Sequence, residues 1–180
     1  MGYTVSHFEI RARDTAVLEK FYTEVLGFQV TDRGQLPGRG ELVFMSHSPE
    51  EHHQIVLIPS DAAAKSGSGI GHVAFRVDTL DEVRSVYQRV RQLAYAKPEP
   101  VSHGNTWSCY FRDPEGNRIE IFTQTPWHTT QPCRFDVDYE AGDAALKQAT
   151  LGTAQELPGF TTTEEWQQNF RPRFADTPAE

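Results

Sequence analysis

His7, His72 and Glu120 lie far apart in the 180-residue chain, each in a short segment with the two-residue alternation of a β-strand. The segments read VSHFEIRAR, GHVAFRV and NRIEIFT. Successive strand side chains leave opposite faces, so Phe8 and Ile10, Val73 and Phe75, and Ile119 and Ile121 take the apolar face while the histidines and the glutamate take the polar one. Two imidazoles and one carboxylate on a rigid sheet can hold one side of a divalent metal and leave positions open. Non-haem Fe(II) uses that arrangement to bind substrate and dioxygen together. A carboxylate set between isoleucines is costly to bury without a cation. Each histidine alone, among seven, reads as an ordinary surface or core residue; taken jointly the three make a metal site and an iron oxygenase the leading expectation.

The elements that must position these residues form an internal repeat. His7-Phe-Glu-Ile-Arg11 and His72-Val-Ala-Phe-Arg76 both run into an Asp and then an amphipathic helix, with Tyr22 and Tyr87 at the same offset from their histidines. Asp14 is the expected N-cap of the first helix, whose stripe is Val17, Leu18, Phe21, Tyr22, Val25 and Leu26, ended by Gly27. The second opens on a capping box, Thr79 with Glu82, and buries Leu80, Val83, Val86, Tyr87, Val90 and Leu93. Three strands follow each helix, near 28–33, 41–47 and 53–59, then near 98–104, 106–112 and 117–123, the last pair joined by the turn Asp113-Pro-Glu-Gly-Asn117. The expected fold is α+β: two β-α-β-β-β modules, about 1–60 and 70–125, forming a cupped mixed sheet around the metal site in a single domain, 1–125. Residues 60–71, rich in Ala, Ser and Gly, read as a surface linker. Residues 126–180 form a C-terminal extension with an extended PWHTTQP stretch, a weak helix from Glu140 to Gln155 and a short Thr-capped helix at TTTEEWQQ. It is apolar enough to pack on the domain, lid the cavity or meet a partner subunit.

The formal net charge of −8 offers no basic stripe for phosphate, so nucleic acid and anionic membrane are poor partners. The start MGYTVSHFEI lacks the pattern of a signal peptide, and no run approaches the ~18 apolar residues of a membrane span; a cytoplasmic protein is expected. The two cysteines, Cys109 and Cys133, have no C-x-x-C spacing, and Cys109 reads as a core thiol on a strand.

With its first-strand histidine, the Gly71-His72 strand and the DPEGN turn ahead of Ile119-Glu120, the chain resembles the vicinal oxygen chelate superfamily. That superfamily holds glyoxalase I, bleomycin and fosfomycin resistance proteins and the type I extradiol dioxygenases. The resemblance covers about residues 5–125. Its extradiol branch carries a doubled histidine opening the last strand of the first module, a further histidine in the second, and a tyrosine ten residues before the carboxylate ligand. This chain has His52-His53, His103 and Tyr110, and is similar to the one-domain class, in which PWHTTQP also resembles a tail segment. The resemblance implies Fe(II), or Mn(II), held by His7, His72 and Glu120, an aromatic diol and O2 as substrates, and a homodimer or higher homo-oligomer. It further implies His53 as the acid/base, Tyr110 as a hydrogen-bond donor to the bound substrate oxygen, and His103 on the same side of the substrate. The product that the resemblance implies is of the muconic semialdehyde type.

Other roles are available to the same residues. His52 would point away from His53 if both lay on a strand, and Tyr110 could be a half-buried strand aromatic. Glu9, Arg11 and Arg76 share the polar register, where an ion pair is the economical reading. His47 and His128 fall in expected loops. The competing functions are a glyoxalase-like isomerase or lyase, which normally has a fourth protein ligand not evident near His53, a thiol transferase sharing the triad, and a metal-free drug-binding protein.

Overall fold

The structure, a computed structural model, describes residues 5–38, 40–60 and 71–171. The proposed linker lies almost wholly outside them. The described residues divide into two compact units, one built on residues 5–38, 40–60 and 71 with 112–118, the other on 72–111 with 119–171.

The first unit runs β1 (Phe8–Ala12), α1 (Thr15–Glu24), β2 (Gln29–Leu36), β3 (Gly40–Ser46) and β4 (Ile55–Pro59). Its sheet has the order β1-β4-β3-β2, with β1 parallel to β4 and the other pairs antiparallel. The β-α-β-β-β module is therefore present as expected. Asp14 caps α1 by accepting from the N–H groups of Ala16 and Val17, satisfying donors that a helix start leaves without intrahelical partners. Leu18, Phe21 and Tyr22 are buried beneath the helix. Val17, expected on the same stripe, is 43% exposed because it flanks Leu18 in the first turn. The helix is closed by Gly27 at φ +80° and by His47, whose Nε2 lies 3.1 Å from the Leu26 carbonyl. A carbonyl can only accept, so His47 donates there and has a structural use.

The DPEGN turn belongs to this unit as well. Asp113 Oδ1 accepts from the N–H groups of Glu115 and Asn117, each at 2.9 Å, and Gly116 takes φ +89°. Tyr22 donates its hydroxyl to Asp113 Oδ2 at 3.4 Å.

The second unit contains β5 (Val73–Arg76), α2 (Leu80–Val90), β6 (Glu99–Ser102), β7 (Thr106–Arg112) and β8 (Arg118–Gln124). Beyond them come β9 (Trp127–His128), β10 (Phe135–Asp136), α3 (Asp143–Gln155), β11 (Thr161–Thr162) and α4 (Thr163–Phe170). The main sheet has the order β10-β6-β7-β8-β5, with β5 parallel to β8. The capping box of Thr79 and Glu82 forms, and α2 buries Leu80, Val83, Val86 and Val90.

The C-terminal residues are part of this second unit. β10 extends the sheet by pairing with β6. Trp107 Nε1 donates to Thr150 Oγ1 at 3.1 Å, and the Tyr139 hydroxyl donates to the Ser108 carbonyl at 3.0 Å. From α3, Leu146, Thr150 and Ala154 are buried. The helix starts at Asp143 rather than Glu140, because Asp138 takes the Glu140 N–H on its side chain and the Ala141 N–H on its carbonyl, which makes a turn first. Thr162 and Glu165 form a second capping box at α4.

Candidate metal and substrate site

β8 and the residue before β5 set the core of the site. Ala74 pairs with Glu120 in the parallel β5–β8 ladder, which puts His72, two residues earlier, on the same face as the carboxylate. His72 Nε2 lies 3.1 Å from Glu120 Oε2. Glu120 is only 6% exposed and sits between the buried Ile119 and Ile121, whereas the His72 side chain is 42% exposed. Bonds of about 2.1 Å at roughly right angles would set neighbouring metal donors about 3 Å apart. The observed spacing and the buried carboxylate therefore suit a shared cation. Among the described residues no cluster of three or more His, Cys, Asp or Glu side chains is gathered.

A cavity of about 300 Å³ opens on Glu120, lined also by Ala74, Tyr110, Phe122, His103, Asn105, Thr106 and Gln131. Ala74 is the smallest of the lining side chains and stands directly beside Glu120. Tyr110, buried on β7, meets the His72 ring edge-on with centroids 5.3 Å apart. Its hydroxyl lies 3.0 Å from His103 Nε2, and His103 Nδ1 lies 2.7 Å from the Cys133 carbonyl. The Arg134 guanidinium lies over the Tyr110 ring at 5.5 Å and bonds Glu99 at 2.7 Å. A wider cavity of about 820 Å³, lined by His103 and residues 131–134, adjoins the first through His103 and Gln131.

The first unit carries its own histidine group. His7, exposed just ahead of β1, has its ring 4.4 Å from that of His53. His52 and His53 precede β4 instead of opening it, and their Nδ1 atoms lie 2.9 Å apart. They do not point to opposite faces, because the alternation of a strand begins only at Ile55. Phe44 packs edge-on to His53 at 5.2 Å. Burial first, and then the neighbouring His7 and His52, hold the His53 imidazole below its ordinary value, leaving it a neutral base at neutral pH.

The two modules differ at one matched position. Glu9 pairs with Val56 in the β1–β4 ladder as Ala74 pairs with Glu120 in the β5–β8 ladder. The first module thus offers valine where the second offers a carboxylate.

Sequence reasoning placed His72, Glu120, Tyr110 and His103 individually; the structure lines one cavity with Glu120, Tyr110 and His103 and sets His72 against Glu120 and Tyr110. Within the first unit His7 and His53 lie together. Reading the sequence missed Gln131, Arg134 and the Cys133 carbonyl. The one trace was the polar PWHTTQP stretch, which holds Gln131 and gave no sign of its partner. Cys109 is fully buried on β7, as expected of a core thiol, and burial, with Glu99 adding to it, pushes its pKa up to about 12.

The sequence profile of the Glyoxalase/Bleomycin resistance protein/Dioxygenase superfamily matches residues 4–121, and the chain belongs to that superfamily. It is 29% identical over 124 residues to biphenyl-2,3-diol 1,2-dioxygenase 3 of Rhodococcus globerulus, covering 65% of this chain and 61% of that protein. It is 27% identical over 123 residues to a probable lactoylglutathione lyase of Synechocystis, covering 64% of this chain and 91% of that protein. The chain thus spans about three fifths of the dioxygenases it matches first. Among solved structures, a glyoxylase/bleomycin resistance protein/dioxygenase domain from Frankia sp. EAN1pec superposes with a TM-score of 0.59 at 22% identity, covering 69% of this chain and all of that one. This likeness concerns the fold. Among the described residues no helix is long and apolar enough to cross a membrane.

Proposed function

We propose that the chain is a metal-dependent extradiol dioxygenase that inserts both atoms of O2 into an aromatic diol. The observation that carries this reading is Glu120 at one cavity with Tyr110 and His103, with His72 3.1 Å from its carboxylate. His72 and Glu120 would hold Fe(II), with Mn(II) an acceptable substitute, and His7, which precedes β1 as His72 precedes β5, would be the third ligand. The metal, when bound, supplies open positions for the adjacent diol oxygens and for O2. His53, kept neutral by its surroundings, takes a proton from the diol and returns one during ring opening. Tyr110 and His103 hold a diol oxygen, and Phe122 with Ala74 leaves room for a flat ring against Glu120. The proposed domain is 1–125, extended by 126–180, in a homo-oligomer of cytoplasmic chains.

The second reading is a glyoxalase-like lyase. It is favoured by those lactoylglutathione lyases, such as the Synechocystis one, most of whose length the chain covers. Val56, matched to Glu120 in register, weighs against it, since it removes the place where a fourth carboxylate ligand would be expected by symmetry.

Anaerobic loading with Fe(II), then oxygen uptake and visible absorbance with catechol, 3-methylcatechol and 2,3-dihydroxybiphenyl, tests the proposal. Stoichiometric uptake with a yellow ring-opened product is expected. No uptake, together with formation of S-lactoylglutathione from methylglyoxal and glutathione, would establish the lyase instead.

A further inference from the structure

His103 is held by the C-terminal residues that follow β9. Its carbonyl accepts from Gln131 Nε2 at 2.6 Å, and Gln131 Oε1 accepts the Cys133 N–H at 3.1 Å. Gln131 therefore ties the His103 backbone to Cys133, the residue whose carbonyl lies 2.7 Å from His103 Nδ1. A carbonyl oxygen has no hydrogen to give, so Nδ1 must carry the proton. In the neutral ring Nε2 is then an acceptor, and the group 3.0 Å from it is the Tyr110 hydroxyl.

We infer that Gln131 is a positioning residue that locks His103 in the Nδ1–H tautomer and so commits the single hydroxyl hydrogen of Tyr110 to His103. Toward a ligand in the cavity the Tyr110 oxygen then acts as a hydrogen-bond acceptor. This reverses the donor role that the resemblance implied for Tyr110 in the resting site. It selects ligands that arrive with a protonated hydroxyl, a neutral phenol or diol, over their alkyl ethers. Proton transfer along the same line balances: as the ligand hydroxyl gives its proton to the Tyr110 oxygen, Tyr110 passes its own to His103 Nε2. The ligand is left as an oxyanion, Tyr110 as a neutral hydroxyl now donating to it, and His103 as an imidazolium whose Nδ1–H stays on Cys133. The part concerning ligands rests on the cavity at Glu120 being the substrate site.

The test is made on the full chain without metal, labelled with 15N in its histidine rings, at about pH 8, where an ordinary imidazole is neutral. Two-bond proton–nitrogen correlation spectra are recorded, with His103 assigned by loss of its signals in His103→Gln. A protonated shift at Nδ1 and an unprotonated shift at Nε2 are expected. Tyr110→Phe should keep that pattern, because the Cys133 carbonyl sets it, and Gln131→Ala should mix in the other tautomer. A wild-type Nε2–H ring would overturn the tautomer assignment, and a Gln131→Ala spectrum identical to wild type would overturn the role of Gln131. Because the spectrum is read without metal or turnover, its failure is distinct from absence of oxygenase activity.

Discussion

Glu115 holds the backbone that leads into α1, more than a hundred residues earlier in sequence: its Oε1 accepts the Asp14 N–H at 2.7 Å while Oε2 accepts the Arg13 N–H at 2.9 Å. The Glu115 side chain is only 9% exposed, so both charge-assisted bonds form with little competition from water. Asp14 itself caps the helix, and Glu115 fixes the backbone from which that cap is presented. Glu115→Ala should destabilise the fold by about 2 kcal/mol, the scale of hydrogen bonds to charged groups, with Glu115→Gln costing less. Urea denaturation, read as a shift of midpoint at constant slope, checks it. An unchanged midpoint for Glu115→Ala would show that the turn contributes nothing to the helix.

Gly104 is required on two grounds. Its φ of +76° lies in the left-handed region, and a Cβ there would come within 2.0 Å of Thr129 Oγ1. Thr129 is fully buried and cannot swing clear. Gly104→Ala should cost at least about 1 kcal/mol from backbone strain, with more from the collision. Thr129→Ala in the same chain should recover part of the collision but not the strain. Thermal denaturation of both variants and the double variant separates the two contributions.

Cys109 gives a pH dependence of known sign. Its pKa is raised from an ordinary 9.0 to about 12, so the native state favours the protonated thiol. The stability that this represents is complete below about pH 9 and is lost as pH rises toward about 12, at up to about 1.4 kcal/mol per pH unit. Buried Tyr139, raised mainly by its own burial, acts in the same direction, so the comparison must be with Cys109→Ala. The stability difference between wild type and that variant should shrink with pH from about 9 to 10.5. At pH 8 a thiol reagent should reach Cys133 in the native protein and Cys109 only on unfolding. A constant difference, or two equally fast thiols, would contradict the buried assignment.

The repeat, both helices and their caps were legible in the sequence because each depends on local rules: the spacing of apolar residues, Asp14 and Thr79 as caps, Gly27 as a stop. The triad candidates were legible for the same reason, since the alternation about His7, His72 and Glu120 is local. What was not legible is contact between distant segments. Nothing in DPEGN announces that Glu115 will seat on Arg13 and Asp14, and nothing in PWHTTQP announces that Gln131 will hold His103. His52 and His53 were misread because two histidines next to Ile-Val-Leu-Ile look like the start of a strand. The backbone instead bends until Gln54, whose side chain accepts the His47 N–H at 2.9 Å.

Removal of the proposed ligands separates metal binding from chemistry. His72→Ala and Glu120→Ala each delete one of two donor atoms that lie 3.1 Å apart, so both should lose bound metal, measured as metal per chain after desalting. His53→Phe keeps a ring against His7 and Phe44 but removes the nitrogen that would move a proton. It should retain metal and bind catechol, while turnover falls by about 10²–10⁴, the usual contribution of a general acid–base. Addition of imidazole should restore part of the lost rate. Full activity in His53→Phe would remove His53 from the chemistry, and loss of metal in that variant would make it a support for His7 instead.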